Sequence, residues 1–364
     1  MAKTTTKIGF VGLGHMGGNM AARLLAAGYT VYGESRDRRH AQDLVHEGLG
    51  WRDTPREVAE SADVLFTSLP DDGVLEAVAS GPDGILAGLA AEKIWVDMST
   101  VSPRESREMA ERVRALGAAM LDSPVSGSVP QVQAGTLTIM VGGDEDAYAR
   151  AEPLLRVLGT PTHIGENGQG LALKLAINIS LAVQMLAFSE GLLLAERAGV
   201  DRKLAVEVMT ESPIGSPMLK ARAALVLDLP DDAWFDIGLM QKDVALALDT
   251  GRQLRVPLPS AAVADELLTV ARALGYERRD LAALSEVLGR LAGDERARLE
   301  EGDGGEDAAV VIDGLLRTRS PGRSGRGRAG RPSPPRRRPW RIAWSSPSAR
   351  RRQRRRPGRW SRAG

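Results

Sequence analysis

Residues 8–17 read Ile-Gly-Phe-Val-Gly-Leu-Gly-His-Met-Gly, so the pattern G-x-G-x-x-G falls between a short apolar run and an alanine-rich amphipathic stretch, Gly18–Ala27. No other feature constrains the fold as much. Gly12 permits a tight turn after the strand Ile8–Val11. Gly14 lets the backbone approach a pyrophosphate, and Gly17 lets the following helix pack closely on the strand. The helix N-terminus adds amide donors and a dipole that favours an anion. The spacing predicts a dinucleotide-binding unit, with Gly12, Leu13, Gly14, His15, Met16 and Gly17 as its cofactor loop.

The alternation of strand and helix continues beyond this unit. Strands are expected over Thr30–Tyr32, Val64–Ser68, Ile94–Asp97, Ala119–Leu121, Thr138–Val141 and Thr162–Ile164, with helices such as Pro103–Leu116 between the earlier ones. This predicts a doubly wound, parallel, Rossmann-type α/β domain over residues 1–165. Strand patterns then stop. Gln169–Ala198 reads as one long helix, apolar on most sides. Helices follow over Arg202–Thr210, Pro217–Leu227, Phe235–Arg252, Ser260–Leu274 and Ala282–Leu291. Residues 166–293 are therefore expected to form an all-α domain. A helix apolar all round is buried between domains or subunits, which points to a homodimer or homotetramer. The apolar part of that helix, Leu175–Ser189, is too short to span a bilayer. Met1–Lys7 has no apolar leader. A cytoplasmic location with no membrane partner is the expectation.

Composition removes several chemistries. Among 364 residues there is no cysteine, which excludes a thiol nucleophile, a disulfide scaffold, a zinc ribbon and an iron–sulfur cluster. The four histidines (His15, His40, His46 and His163) include no pair four apart, so no metal site is expected. The net charge of +1 hides a split: 18 arginines and no acid lie from Gly314 onward, leaving 30 basic against 47 acidic side chains before it, a net of −17. Residues 294–364 read as an extension, an acidic linker and then a disordered basic tail of Arg, Pro, Gly and Ser with Trp340, Trp344 and Trp360. Three readings of the tail stand side by side. The run Arg350–Arg356 between tryptophans suits nucleic acid, cations for phosphates and aromatics for stacking. The tail could serve solubility alone. Its composition also suits a GC-rich message translated out of frame, and nucleic acid is a partner only if the tail is genuine.

The tip of the second strand bears on the cofactor. Glu34 there would hold the ribose hydroxyl of NAD, whereas Ser35 and Arg36 at the tip favour the 2′-phosphate of NADP. Placing Ser35 and Arg36 at the tip makes NADP the preferred cofactor, with NAD the alternative.

Several separated segments together resemble the β-hydroxyacid dehydrogenase family, the 3-hydroxyisobutyrate dehydrogenase and tartronate semialdehyde reductase type, whose dinucleotide domain is related to that of 6-phosphogluconate dehydrogenase. They are Phe10–Gly17, Ser68-Leu69-Pro70, Val96-Asp97-Met98-Ser99-Thr100, Asp122-Ser123-Pro124-Val125-Ser126-Gly127, Lys174 with Asn178, and Lys242-Asp243. The resemblance covers residues 7–292.

The residues suit hydride transfer at an alcohol carbon, which needs a group to take or give the hydroxyl proton. Without a cysteine or a well-placed histidine, a lysine is the available candidate. Lys174 lies between Leu173 and Leu175 in an apolar helix, where desolvation lowers a lysine pKa. Asn178 lies four residues on, on the same face. Considered alone, Lys174 reads more readily as a lysine snorkelling from a buried helix to its surface. The resemblance implies that Lys174 is the acid/base and that Asn178 orients substrate. It implies that Ser126 and Gly127 bind the substrate carboxylate, on a turn whose small residues expose amides and a hydroxyl. Ser128 departs from the family, which commonly has a second glycine there. By the same resemblance Leu69 and Pro70 line the cofactor, Thr100 lies by the nicotinamide, and Lys242 stands near cofactor and substrate. Asp243 reads as fixing its helix or pairing locally. The expected activity is NAD(P)-dependent interconversion of a small 3-hydroxy acid and its semialdehyde or oxo acid. Two alternatives are an idle scaffold acting on nucleic acid through the tail, and an imine-reducing relative, against which the presence of Lys174 argues.

Overall fold

The computed structural model describes residues 6–293, which lie within one compact unit. The acidic linker and the arginine-rich tail, 294–364, lie outside the described residues.

The first half is a nine-stranded sheet: β1 Lys7–Val11, β2 Thr30–Glu34, β3 Gly50–Trp51, β4 Val64–Thr67, β5 Ile94–Asp97, β6 Ala119–Asp122, β7 Val125–Ser126, β8 Leu137–Gly143 and β9 Gly159–Gly165. Their order is β3-β2-β1-β4-β5-β6-β8-β7, with β9 paired to β8. The direction of strand succession reverses between β1 and β4, the switch point at which doubly wound sheets take their ligands. Alternating residues face two cores. Ile8, Phe10, Phe66, Val96 and Leu121 pack on one face, and Val11, Leu65, Trp95 and Met120 on the other. Both faces are covered, which is why the strands read as continuous apolar runs.

Two expectations need correction. The sheet is not wholly parallel: β8 runs antiparallel to both β6 and β7. Between β6 and β8 the chain makes only β7 and the six-residue helix Val129–Ala134, which ends on Gly135 at φ 70° and doubles back. That excursion returns the chain antiparallel rather than completing a crossover. The two-residue strands β3 and β7 also escaped the sequence reading, because two residues carry no periodicity.

The second half is helical. Gln169–Arg197 is a single helix of 29 residues. Its buried positions Leu171, Leu175, Asn178, Ala182, Met185, Ser189 and Leu192 repeat at spacings of four and three, one continuous stripe. The helix is long and apolar enough to cross a membrane, contrary to the length expected from Leu175–Ser189. Its stripe instead faces protein. Leu171 joins the core beneath β5 and β6, and the helices Ile237–Leu254, Pro259–Ala273 and Leu284–Leu291 pack along it. Expected helix bounds hold to within about two residues, the usual spread at frayed ends.

Candidate active site

The glycine loop takes the conformation its spacing requires. Gly12 has φ 91°, and its N–H donates to the Glu34 carbonyl at 3.1 Å, tying the loop to the tip of β2. A Cβ on Gly12 would lie 2.4 Å from the Ser68 carbonyl, and one on Gly17 would lie 2.0 Å from the Gly12 carbonyl. Neither position admits a side chain. Around Gly14 the opposite holds: nothing stands within 4 Å of its Cβ position, so its backbone is open to a close ligand. Leu13 is buried in the core, while His15 and Met16 open the helix His15–Ala26. That helix has Gly14 as N-cap and no acidic residue in its first turn, so its amide end is left for an anion. These residues fit a dinucleotide pyrophosphate.

Ser35 and Arg36 follow β2 directly. Arg39 pairs with Asp37 at 2.7 Å, and the Arg38 guanidinium lies over the Trp51 ring at 5.2 Å. Arg36 is exposed and has no protein partner among the described residues. Glu34 is half-buried, and burial pushes its carboxyl pKa up.

The loops after β4 and β5 are locked together from below. The Leu69 N–H donates to Ser99 Oγ at 2.9 Å, and Ser99 Oγ donates to Asp97 Oδ1 at 2.6 Å. Thr67 Oγ1 donates to the same oxygen at 2.7 Å. Asp97 is fully buried, and desolvation pushes its pKa up. Leu69, Pro70 and Thr100 thus sit on a fixed base at the strand tips.

The long helix carries the other half of the site. Lys174 Nζ donates to Asn178 Oδ1 at 3.0 Å. Asn178 Nδ2 donates to Asp243 Oδ2 at 2.5 Å. Asp243 Oδ1 stands 3.0 Å from Lys242 Nζ, an ion pair without hydrogen-bond alignment. Lys242 Nζ in turn donates to the Thr100 carbonyl. Lys174, Asn178, Asp243, Lys242 and Thr100 therefore form one polar chain from the long helix to the strand tips. Burial lowers the Lys174 pKa to about 8; Asp243 opposes the shift and Lys242 adds to it. Asp243, which the sequence reads as fixing its helix or pairing locally, pairs with its neighbour Lys242 and also links it through Asn178 to Lys174.

Among the described residues, Ser126, Gly127 and Ser128 make no hydrogen bond to Lys174; Asp122, four residues before Ser126, bonds the amides of Gly168 and Leu171 at the start of the helix that carries Lys174. Ser126 ends β7 opposite Thr138. Gly127 has φ 130°, and a Cβ there would lie 2.8 Å from Leu137. Ser128 N–H and Oγ both donate to Gln131 Oε1 at 2.9 Å. The hydroxyl that replaces the family glycine is thus committed to starting a helix. Asp122 went unnoticed as a site residue, although a carboxylate ending an apolar strand is a visible signal.

A Rossmann-like domain, a helical domain and a half-buried lysine at their junction define the class, a nicotinamide-dependent dehydrogenase. Residues 7–167 match the family described as the NAD binding domain of 6-phosphogluconate dehydrogenase. Residues 168–288 match the NAD-binding domain of NADP-dependent 3-hydroxyisobutyrate dehydrogenase. The chain is 36% identical over 289 residues to 2-(hydroxymethyl)glutarate dehydrogenase of Eubacterium barkeri, covering 79% of this chain and 96% of that one. It is 36% identical over 292 residues to 2-hydroxy-3-oxopropionate reductase of Escherichia coli strain K12, 80% of this chain and all of the relative. The solved 3-hydroxyisobutyrate dehydrogenase of Mycobacterium tuberculosis with L-serine superposes with a TM-score of 0.69 at 30% identity, over 78% of this chain and 99% of that one. The chain belongs to the β-hydroxyacid dehydrogenase family. It is an NAD(P)-dependent oxidoreductase acting on CH–OH groups of hydroxy acids.

Proposed function

We propose that the chain interconverts a small 3-hydroxy acid and its semialdehyde or oxo acid, with Lys174 as the acid/base. The observation that carries this is the Lys174 ammonium, desolvated beside Asn178 and joined through Asp243 and Lys242 to the Thr100 carbonyl. A bound nicotinamide supplies the hydride acceptor or donor. In oxidation, neutral Lys174 takes the hydroxyl proton as hydride leaves the same carbon; in reduction, its ammonium returns the proton. Asn178 holds the lysine and the substrate hydroxyl. Ser126 and Gly127 bind the carboxylate through amides and a hydroxyl, and Ser128 fixes that turn. Lys242 serves both cofactor and substrate, as the sole lysine reaching Thr100 among the described residues.

In this reading residues 1–165 hold the cofactor through Gly12–Gly17, Leu69, Pro70 and Thr100, and residues 166–293 complete the substrate cleft. The unpaired Arg36 beside Ser35 favours NADP over NAD, since it is the arginine there that neither Asp37 nor Trp51 engages. Closure of the cleft would exclude water. The exposed apolar side chains Leu194, Leu204 and Val208 suit assembly into a homodimer or homotetramer. A cytoplasmic location is part of the same reading.

The test is reduction of NADP⁺ and NAD⁺ by the full chain and by Lys174→Ala over a panel of small 3-hydroxy acids. The expected result is turnover by the unaltered chain and a loss of about 10²-fold or more in kcat in the variant. Tight cofactor binding without turnover of any acid would overturn the proposal in favour of an imine substrate or an idle scaffold.

A further inference from the structure

The long helix lacks a cap of its own. Its N-cap, Gly168, is left-handed at φ 85° and has no side chain to offer. The four amides of a helix start must nevertheless be satisfied where they are buried. Asp122, at the end of β6, does this from another element. Its Oδ1 accepts from Gly168 N–H at 2.6 Å, and its Oδ2 accepts from Leu171 N–H at 3.0 Å. Those are the N-cap and N3 positions, the two that a capping box satisfies with two side chains. One carboxylate serves both here.

The surroundings leave this carboxylate little freedom. Asp122 is fully buried. A Cβ on Gly142 would lie 2.7 Å from Oδ1, and one on Gly170 would lie 2.8 Å from Oδ2 and 2.4 Å from the Met140 carbonyl. Glycines on both sides let the helix start come down onto the carboxylate. Along the chain, Asp122 stands four residues before Ser126. Along the helix, Leu171 stands three residues before Lys174. A single side chain is thus anchored to the turn that would bind the carboxylate and to the turn that carries the lysine.

From this geometry we infer that Asp122 is a positioning residue: it sets the rotation and height of the long helix, and so holds Lys174 in register with the Ser126–Gly127 turn. The inference rests on the proposed function for its catalytic meaning but not for its structural content. When the cap is lost, the first turn unwinds or rotates, Lys174 leaves Asn178, and water reaches its ammonium. Three charged or polar groups bear on that ammonium in place: Asn178 on its own helix, and Asp243 and Lys242 from the helix Ile237–Leu254.

The experiment uses the full chain and its Asp122→Asn variant, with folding checked by circular dichroism. Trace acetylation with acetic anhydride, quantified at the Lys174 peptide by mass spectrometry, gives the pH midpoint of that lysine without any need for turnover. The unaltered chain should show a midpoint of about 8. The variant should show it raised by about one unit or more, towards ordinary lysine. Its kcat should fall about tenfold or more, while NADP⁺ affinity stays within about twofold, because the glycine loop is untouched. A folded variant with an unchanged midpoint and kcat would overturn the inference, and so would one that only lowers the melting temperature. Gly170→Ala retains the carboxylate but pushes the helix off it, and should reproduce the raised midpoint; should Asp122→Asn fail to fold, this variant decides alone. If the unaltered chain turns over none of the acids, the proposed function fails while the labelling midpoint still decides the role of Asp122.

Discussion

Among the described residues four aspartates are buried, two in the sheet half and two in the helical half, and the halves treat them differently. In the sheet, Asp97 and Asp122 lie side by side in register at the tips of β5 and β6. Their partners are neutral: hydroxyls of Thr67 and Ser99 for one, backbone amides of Gly168 and Leu171 for the other. Burial pushes both carboxyl pKa values up. In the helical half, Asp243 and Asp280 face cations, Lys242 and Arg222. Asp280 accepts from Arg222 at 2.5 Å and from the amides of Trp234, Phe235 and Ala282 at 2.9 to 3.1 Å. The sheet therefore uses carboxyls as hydrogen-bond acceptors that hold loops, whereas the helical half sets its buried carboxylates against cations. The first arrangement fixes the strand-tip loops and the start of the long helix. The second places Asp243 between Lys242 and Asn178.

The sharpest way to break this comparison is to remove one carboxyl from each half. Asp280→Ala leaves the Arg222 guanidinium buried without its partner, a loss of about 3–5 kcal/mol. Asp97→Asn keeps the acceptor oxygen for Thr67 and Ser99 and strands no cation; its cost should stay below about 2 kcal/mol. Urea unfolding of both variants measures the difference. Equal losses would mean that the two halves do not differ in the way their partners suggest.

A pH profile sharpens the same contrast at the lysine. The Lys174 pKa lies at about 8, lowered chiefly by desolvation. Oxidation requires the neutral amine, so its kcat should rise about tenfold per pH unit below that value and level off above it. Reduction requires the ammonium and should run the other way, flat below about 8 and falling above. Asp243 holds the pKa up, so Asp243→Asn should move both limbs to lower pH. Movement to higher pH would show that Asp243 acts on Lys174 by some route other than its charge.

The glycine loop was legible in the sequence because its constraints are local. Gly12, Gly14 and Gly17 act on turn, approach and packing within ten residues of chain, and the structure meets each by sterics. The long helix was legible for a similar reason, its apolar run being continuous. What the sequence hid is long-range. Asn178 meets Asp243 across 65 residues, and Lys242 meets the Thr100 carbonyl across 142. Asp122 caps a helix 46 residues away. No periodicity encodes such pairs. The antiparallel return of β8 was hidden too, since β7 and the helix before Gly135 are too brief to announce a change of direction.

The smallest effect expected is at the cofactor end, where neither half of the comparison buries a charge. Arg36 is exposed just past β2, with Asp37 and Trp51 engaging Arg39 and Arg38 beside it. If it meets the 2′-phosphate of NADP, Arg36→Ala removes one charge-assisted contact in solvent, worth about 1.4 kcal/mol, or about tenfold in NADP⁺ affinity. NAD⁺ affinity should hardly change, because NAD has no phosphate there. Titrating cofactor fluorescence with each dinucleotide separates the two. An equal loss for both would place Arg36 on the shared part of the cofactor, and Glu34, whose carboxyl lies at the end of β2, would then be the residue reading the ribose.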